Sequence, residues 1–270
     1  MAKPTQIELA DARMVIPILY EDRSVLALDK PAGWMLAPDS WDQTGRNLQL
    51  ALQSSLSAGD FWARSRNLKY LRFIHRLDAE TTGITLFAKS AGALNAYSEL
   101  FETRSVEKFY LAVVLGVPKQ TAWTCNFPIT PEPGVKGRMR VISEEQTPSR
   151  PTHSDAITRD AETHFRVLQA TTTTALVEAQ PTTGRTHQIR VHLMAAGHPV
   201  VGDPVYGPAK AAASKGRQRL ALRAVSLAFR DPFQKRMVRI QAPVADFLRE
   251  YGFKPDGPVA PRQPTPPAVT

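Results

Sequence analysis

The chain reads as a folded domain that uses both strands and helices, with strands in the majority. Two apolar runs, Ile84 to Ala88 and Tyr110 to Leu115, are nonpolar on both faces, as a strand buried within a sheet requires. Leu48, Leu52 and Leu56 recur every four residues, the spacing of an amphipathic helix. With 43% hydrophobic and 22% charged residues among 270, there is apolar material for one large core or two small ones.

Taken in order, residues 1–15 are polar and unpatterned and read as an N-terminal extension. Ile16 to Tyr20 and Ser24 to Leu28 follow as two short strands around the polar turn Glu21-Asp22-Arg23. Lys30-Pro31-Ala32-Gly33 breaks that pattern, and the leucine helix comes next. A basic, aromatic stretch from Trp62 to Phe73 leads into His75-Arg76-Leu77-Asp78, and Gly83 opens the run to Ala88, so Asp78 is expected in a loop entering a core strand. Ser90 suits the N-cap of a helix with Leu94, Tyr97 and Phe101 on one face, ending near Arg104. Glu107 to Leu115 is a central strand that places Tyr110 on the face of Ala112 and Val114.

The stretch from Thr130 to Pro151, rich in Pro, Gly, Arg and Glu, reads as an exposed loop. It either faces RNA through Lys136, Arg138 and Arg140 or is a plain solvated connection. Thr163 to Leu168 and Thr174 to Ala179 pattern as paired strands. Gly184 to Leu193 implies a short helix with Ile189, Leu193 and Ala196 on one face, Thr186 as cap, and Gly197 before Pro199 as stop. Strands from Leu220 to Phe229 and Val238 to Gln241 precede a helix begun by Pro243 and ended by Gly252. Residues 253–270 hold six prolines and little apolar bulk, and are expected to stay disordered. The domain proper therefore spans 16–252.

Lys and Arg exceed Asp and Glu by 34 to 25, a net charge of +9. Such a surface attracts a polyanion, nucleic acid first among them, although basic charge also serves plain solubility. A single cysteine, Cys125, leaves no intramolecular disulfide and no multi-cysteine metal site, which fits a reducing, cytoplasmic setting. Neither an export signal nor a membrane helix is expected, since the longest apolar run falls far short of the roughly 20 residues a span needs. The sequence holds no His-Glu-x-x-His, no calcium loop, no phosphate loop, no dinucleotide fingerprint and no nucleophile elbow. His187 and His192, five apart, diverge on a helix and on a strand alike, so no metal is expected.

What remains is an acid set among bases. Asp78 follows His75 and Arg76, and Arg185 and Arg190 form a second basic cluster over a hundred residues later. A carboxylate held beside an arginine stays ionised and can act as a nucleophile. The alternative is a turn residue capping local amides.

His75-Arg76-Leu77-Asp78-Ala79-Glu80-Thr81-Thr82-Gly83 resembles the His-Arg-Leu-Asp-x-x-Thr-Ser-Gly motif of the RluA family of RNA pseudouridine synthases. Lys30 to Gly33 is similar to the family's first motif, Glu107 to Ala112 to its tyrosine motif, and Pro181 to Leu193 to its Thr-Gly-Arg-Thr-His-Gln-Ile-Arg-Val-His signature. Gly197 to Asp203 and Tyr206-Gly207 continue it in order, so the resemblance spans about 16–252. The chain departs from the pattern at Thr82, where Ser is usual, at Phe109, where Thr is more common, and at Arg223, where His is common.

The resemblance implies an α+β fold, the pseudouridine synthase catalytic fold, with a mixed, mainly antiparallel sheet, flanking helices and a central active-site cleft. It implies isomerisation of uridine in structured RNA, a ribosomal or transfer RNA stem-loop, with no cofactor. Asp78 would be the catalytic carboxylate, Arg190 its ion-pair partner, and Tyr110 would pack against the target base. Arg76, His75, Arg185, His187 and Lys108 would contact the RNA. Family members often carry an S4 RNA-binding domain, and with about fifteen residues before the first expected strand the catalytic domain is expected to make its own RNA contacts, as a monomer. The alternatives are a catalytically silent RNA-binding protein of the same fold and a nucleoside hydrolase, for which Glu80 is the only nearby second acid.

Overall fold

The computed structural model describes residues 3–9, 14–37, 46–142, 158–208 and 219–255. In chain order its strands are β1 (Gln6–Leu9), β2 (Met14–Glu21), β3 (Val25–Lys30), β4 (Arg72–Phe73), β5 (Thr82–Ala88), β6 (Val106–Leu115), β7 (Ala122–Cys125), β8 (Ile129–Pro131), β9 (Met139–Val141), β10 (Thr163–Ala170), β11 (Thr174–Pro181), β12 (Leu222–Arg230) and β13 (Met237–Gln241). The helices are α1 (Leu48–Ala58), α2 (Phe61–Arg64), α3 (Ala91–Glu102), α4 (Gln188–Ala195) and α5 (Ala245–Glu250). The residues group into two compact units, Met1–Glu107 with Ala224–Pro243 and Lys108–Arg223 with Val244–Thr270.

The first unit is built on strands in the order β1-β2-β3-β5-β12, with β4 also on β5 and β13 on β12. β1, β2, β3 and β5 pair antiparallel in succession. Alternation along β3 and β5 sends side chains to two separate cores. Val25, Ala27, Ile84 and Leu86 meet Ala93 and Tyr97 of α3, whereas Leu26, Leu28 and Phe87 meet Leu48 and Leu52 of α1 and Trp62 of α2. Both faces of these strands are covered by helices, which is why their sequences are apolar throughout.

The helix ends follow local chemistry. The Asn47 side chain accepts from the Leu50 amide, and the Ser90 hydroxyl from the Ala93 amide, as capping requires. The N-terminal segment differs from expectation, because Gln6–Leu9 is a strand with Ile7 and Leu9 buried against α1 and α2. Its alternation is only four residues long, too short to stand out from a polar context. The Trp62 to Phe73 stretch also lies closer to the core than its composition suggests. The Trp62 indole donates to Ser55 Oγ, and Arg66 is buried on Glu21 and the Trp62 carbonyl.

The second unit carries the antiparallel order β6-β11-β10-β7. The expected loop after Thr130 is instead a hairpin as far as Val141, with Ile129 opposite Val141 and Pro131 opposite Met139. Ile129, Met139 and Val141 gather with Val191 and Met194 of α4 and with Tyr206, so the hairpin is held by a small core of its own. Residues 143–157, the rest of that expected loop, and the expected disordered tail from residue 256 lie outside the described residues.

Gly83, the second residue of β5, has φ +104°, and a Cβ there would come within 2.1 Å of the Ala224 carbonyl oxygen. Gly59, the left-handed C-cap of α1, has open space around it. Gly83→Ala is expected to cost about 3 kcal/mol or more because both backbone strain and a clash oppose it. Gly59→Ala is expected to cost about 1 kcal/mol from strain alone. Urea denaturation of the two variants beside wild type measures the difference.

Candidate active site

Asp78 lies in the turn between β4 and β5, where the Thr81 amide donates to its carbonyl at 3.1 Å. The next carbonyl, that of Ala79, is tied from two directions by the Lys30-Pro31-Ala32-Gly33 segment. It accepts from the Gly33 amide at 2.9 Å and from Lys30 Nζ at 2.8 Å. Lys30 is fully buried at the end of β3 and also donates to the carbonyls of Pro31 and Trp34. Three carbonyl acceptors match the three N–H groups of an ammonium, while a neutral amine can serve only two. Burial pulls the Lys30 pKa down to about 7, and the charges of Asp78 and Glu80 oppose that shift. The sequence motif thus acts as an anchor, with a cation placed under the acid-bearing turn.

His75 is turned inward within this unit. Its Nε2 accepts from the Leu86 amide, and its ring stacks on Phe101 at 4.6 Å between centroids. This packing makes it a brace between the turn, β5 and α3. Arg76 is exposed, and Asp78 is half-buried.

In the second unit, Gly184 to Gln188 forms the loop into α4, and Gln188 organises it. Its Oε1 accepts from Thr183 Oγ1 and the Arg185 amide, and its Nε2 donates to the Glu162 carbonyl and Thr163 Oγ1. Thr186 does not cap the helix as expected. His187 occupies the N-cap position with φ +57°, because the loop's amide is already capped from within by Gln188. Six successive residues, Gln188 to Leu193, are buried, so the helix is enclosed on every side and has no single apolar face.

Arg190 is 3% exposed, and its Nε and Nη2 form a bidentate pair with Asp203 at 2.8 and 2.9 Å. Burial alone would raise the Asp203 pKa, yet the Arg190 guanidinium and the amides of Tyr206 and Val205 hold it below the usual carboxylate range. The Arg190 guanidinium also lies 5.2 Å from the Tyr206 ring centroid, within cation–π range. The Tyr206 hydroxyl accepts from the Met139 amide and sits 3.0 Å from His187 Nδ1. Gly207 leaves no room for a side chain, since a Cβ would fall 2.4 Å from the Asp203 carbonyl oxygen.

His192 is fully buried. Its Nε2 donates to the Phe127 carbonyl, and its Nδ1 accepts from Thr163. Burial lowers its pKa, so the ring is held neutral as a structural link. Arg185 spends its Nε on the Asp160 carbonyl, and Lys108 donates to the Thr183 carbonyl, both at the loop that begins α4. Tyr110 is half-buried on β6, opposite Ala179 of β11. The second unit thus brings Arg185, His187, Arg190 and Lys108 around the start of α4, while Asp78, His75 and Arg76 share the turn in the first. Lys30, Gln188, Asp203 and Tyr206 lie within the motifs that carry the resemblance, but their parts depend on contacts distant in sequence. No described helix is long and apolar enough to cross a membrane, and no group of three or more potential metal ligands occurs among the described residues.

Lys30→Met is expected to cost roughly 3 kcal/mol, because buried carbonyls lose their donor. The pH dependence carries a sign. Between about pH 7 and the ordinary lysine value of 10.5, the unfolded chain keeps a proton that folded Lys30 has released, so stability rises with pH across that window. Below it both states are protonated, and the cost of burying the ammonium is carried in full. Urea melts of wild type across the window should show this slope, and those of Lys30→Met should not.

A Vibrio vulnificus protein named Ribosomal large subunit pseudouridine synthase C is 32% identical over 236 residues, 86% of this chain and 67% of that protein. Ribosomal large subunit pseudouridine synthase D of Nitrosomonas europaea is 33% identical over 238 residues, 86% of this chain and 62% of that one. The dual-specificity RNA pseudouridine synthase RluA of Vibrio cholerae is 32% identical over 218 residues, covering 80% and 78%. The solved structure of human RNA pseudouridylate synthase domain containing 1 superposes with a TM-score of 0.65 at 27% identity, over 85% of this chain and 84% of that one. Residues 24–195, which hold the Asp78 turn and the Arg190 helix, match the family described as RNA pseudouridylate synthase, and the chain belongs to that family.

Proposed function

We propose that this RNA pseudouridine synthase uses Asp78 to isomerise uridine in a stem-loop of ribosomal RNA. The observation that carries the reading is the anchored turn. Lys30 and Gly33, nearly fifty residues upstream, both bind the carbonyl next to Asp78, in a chain of a uridine-isomerising family. The relatives named for the large ribosomal subunit make ribosomal RNA the first substrate to test, with transfer RNA second.

In the reaction the N1–C1′ bond of uridine breaks, the base turns, and C5 bonds to C1′ as the C5 proton leaves and N1 gains one. Nothing is consumed, so the chemistry calls for no external reactant. Asp78 supplies the carboxylate that promotes bond cleavage, and Arg190, held by Asp203, is the second catalytic residue of the reading. The Tyr110 ring packs on the base, and its phenol assists loss of the C5 proton. Arg76, exposed two residues before Asp78, contacts the flipped nucleotide or its phosphate. Arg185 and Lys108 shape the RNA-facing loop, and His75 and His187 act through packing, by the contacts they make with Phe101 and Tyr206. The target must leave its stack at a cost of a few kcal/mol, which favours a loop over a duplex. The protein works as a monomer in the cytoplasm.

Asp78→Asn is expected to abolish pseudouridine formation while keeping RNA affinity within about tenfold, since removing one anion does not weaken phosphate attraction. Carbodiimide-based primer extension on RNA from a host deleted for the gene, complemented with wild type or Asp78→Asn, checks the activity and finds the position. Rescue by the variant would favour a silent RNA-binding protein, and release of free uracil would favour a hydrolase.

A further inference from the structure

The end of the first unit opposite the Asp78 turn holds a basic pocket that the assignments above leave unused. β3 and β5 pair from Lys30 and Gly83, beside that turn, to Val25 and Ala88 at the other end, a span of roughly 17 Å. Just beyond Val25 and Ala88, the Lys89 amide donates to the Ser24 carbonyl at 2.9 Å. There Lys3, Arg23, Arg66 and Lys89 meet around an open pocket of about 590 Å³, with Glu21 and Asp22 as its acids.

The acids have spent their acceptors. Asp22 accepts from the Ser24 and Val25 amides at 2.7 and 2.8 Å and from the Tyr20 hydroxyl at 2.9 Å. Glu21 accepts from Lys89 Nζ at 2.7 Å on one oxygen and from Arg66 Nε at 2.9 Å on the other, with Lys3 Nζ 3.6 Å away. Burial would raise the Glu21 pKa, but Lys89 and Arg66 hold it below the usual carboxylate range, so it stays ionised.

The donors are not spent. The Arg66 side chain, 2% exposed, also donates to the Trp62 and Pro4 carbonyls, which leaves two of the five N–H groups of a guanidinium unplaced. Lys89, 9% exposed, gives a second N–H to the Asp22 carbonyl and keeps a third. Arg23 is exposed, and its side chain makes no hydrogen bond or ion pair with a described residue. Asn67, in the left-handed conformation at φ +51°, adds a side-chain amide to the lining. Four cations thus surround two filled acids, a surplus of two charges. Leu68 is the one apolar residue among the described lining, and no aromatic ring is part of it, so the pocket offers charge but no platform for a base. The bridges of Glu21 hold Arg66 and Lys89 in place before any ligand arrives, which lowers the ordering cost of binding.

We propose that this pocket is a phosphate site, separate from the Asp78 turn, with Arg66 and Lys89 as its floor and Arg23 and Asn67 as its rim. Its surplus of two charges suits a phosphate dianion or two neighbouring phosphodiesters. The phosphate belongs either to a free phosphorylated compound or to an RNA backbone, and the group attached to it is not read. The site does not depend on the chemistry of Asp78 and stands or falls apart from it.

The test is calorimetric titration of inorganic phosphate into the full chain at constant ionic strength, with wild type, Arg23→Glu, Asn67→Lys and Arg76→Glu. Arg23→Glu is expected to weaken binding about tenfold and Asn67→Lys to tighten it about threefold, a gain that misfolding cannot produce. Arg76→Glu, which alters the Asp78 turn, is expected to leave the isotherm as it is. Absence of saturable binding by wild type would overturn the proposal. So would unchanged affinity in both Arg23→Glu and Asn67→Lys, or a loss confined to Arg76→Glu, which would put the anion at the Asp78 turn. Fluorescence anisotropy with an oligouridylate separates the two sources. Weaker RNA binding by Arg23→Glu, with inorganic phosphate competing against RNA on wild type, assigns the site to a backbone phosphate. RNA affinity equal in wild type and Arg23→Glu, beside lost phosphate affinity, assigns it to a free phosphorylated compound. Failure of pseudouridine formation in the host would sink the enzymatic reading and leave these isotherms untouched, so the two failures are distinguishable.

Discussion

A buried cation must have its donors filled, and both units of this protein are arranged around that constraint. Lys30 has no exposed surface, and three carbonyls surround its ammonium. Arg190 is buried nearly as deeply and meets a carboxylate in bidentate geometry. An uncompensated charge in such a place would cost several kcal/mol, so the groups that satisfy it are held in place in turn. In the first unit those groups include the carbonyl beside Asp78. In the second they include Asp203, whose other contacts fix the amides of Val205 and Tyr206 and bring the Tyr206 ring against Arg190. Each cation therefore sets the conformation of a loop.

The polar groups of the second unit form a chain with the same logic. Gln188 fills all of its hydrogen-bonding capacity on Thr183, Arg185, Glu162 and Thr163, and Thr163 passes the contact to His192 and on to Phe127. A network of this kind, saturated inside a low-dielectric interior, specifies one loop conformation more strongly than apolar packing does. It explains why a helix of eight residues with no side-chain N-cap is stable in this protein. α4 is enclosed by neighbours and capped from within its own first turn.

Several elements were legible because their signals are local. Ser90 declared α3, the leucine spacing declared α1, and continuous apolar runs declared β5 and β6 as strands covered on both faces. The motif around Asp78 was legible as a short string. By contrast, β1 and the β8–β9 hairpin were read as extension and loop, because four alternating residues, or three, carry too little pattern to outweigh polar neighbours. Thr186 looked like a cap because a threonine before an apolar periodicity usually is one. Only the Gln188 side chain folded back onto Arg185 shows why His187 takes that position.

The sequence by itself determined which chemistry is available. One acid stands among bases with no metal or cofactor signature, and an excess of cations suits a polyanion. The tertiary structure decided which of those groups are buried and what each of them touches. Arg66 and Trp62 were drawn into the core, His75 became a brace on Phe101, and Lys30 became the support beneath the Asp78 turn. The reason is that desolvation depends on what packs around a group, and that packing comes from segments tens of residues away. A lysine in a Lys-Pro-Ala-Gly string has the same residue identity whether it is solvated or buried; the folded chain, by placing three carbonyls around it, turns it into an anchor.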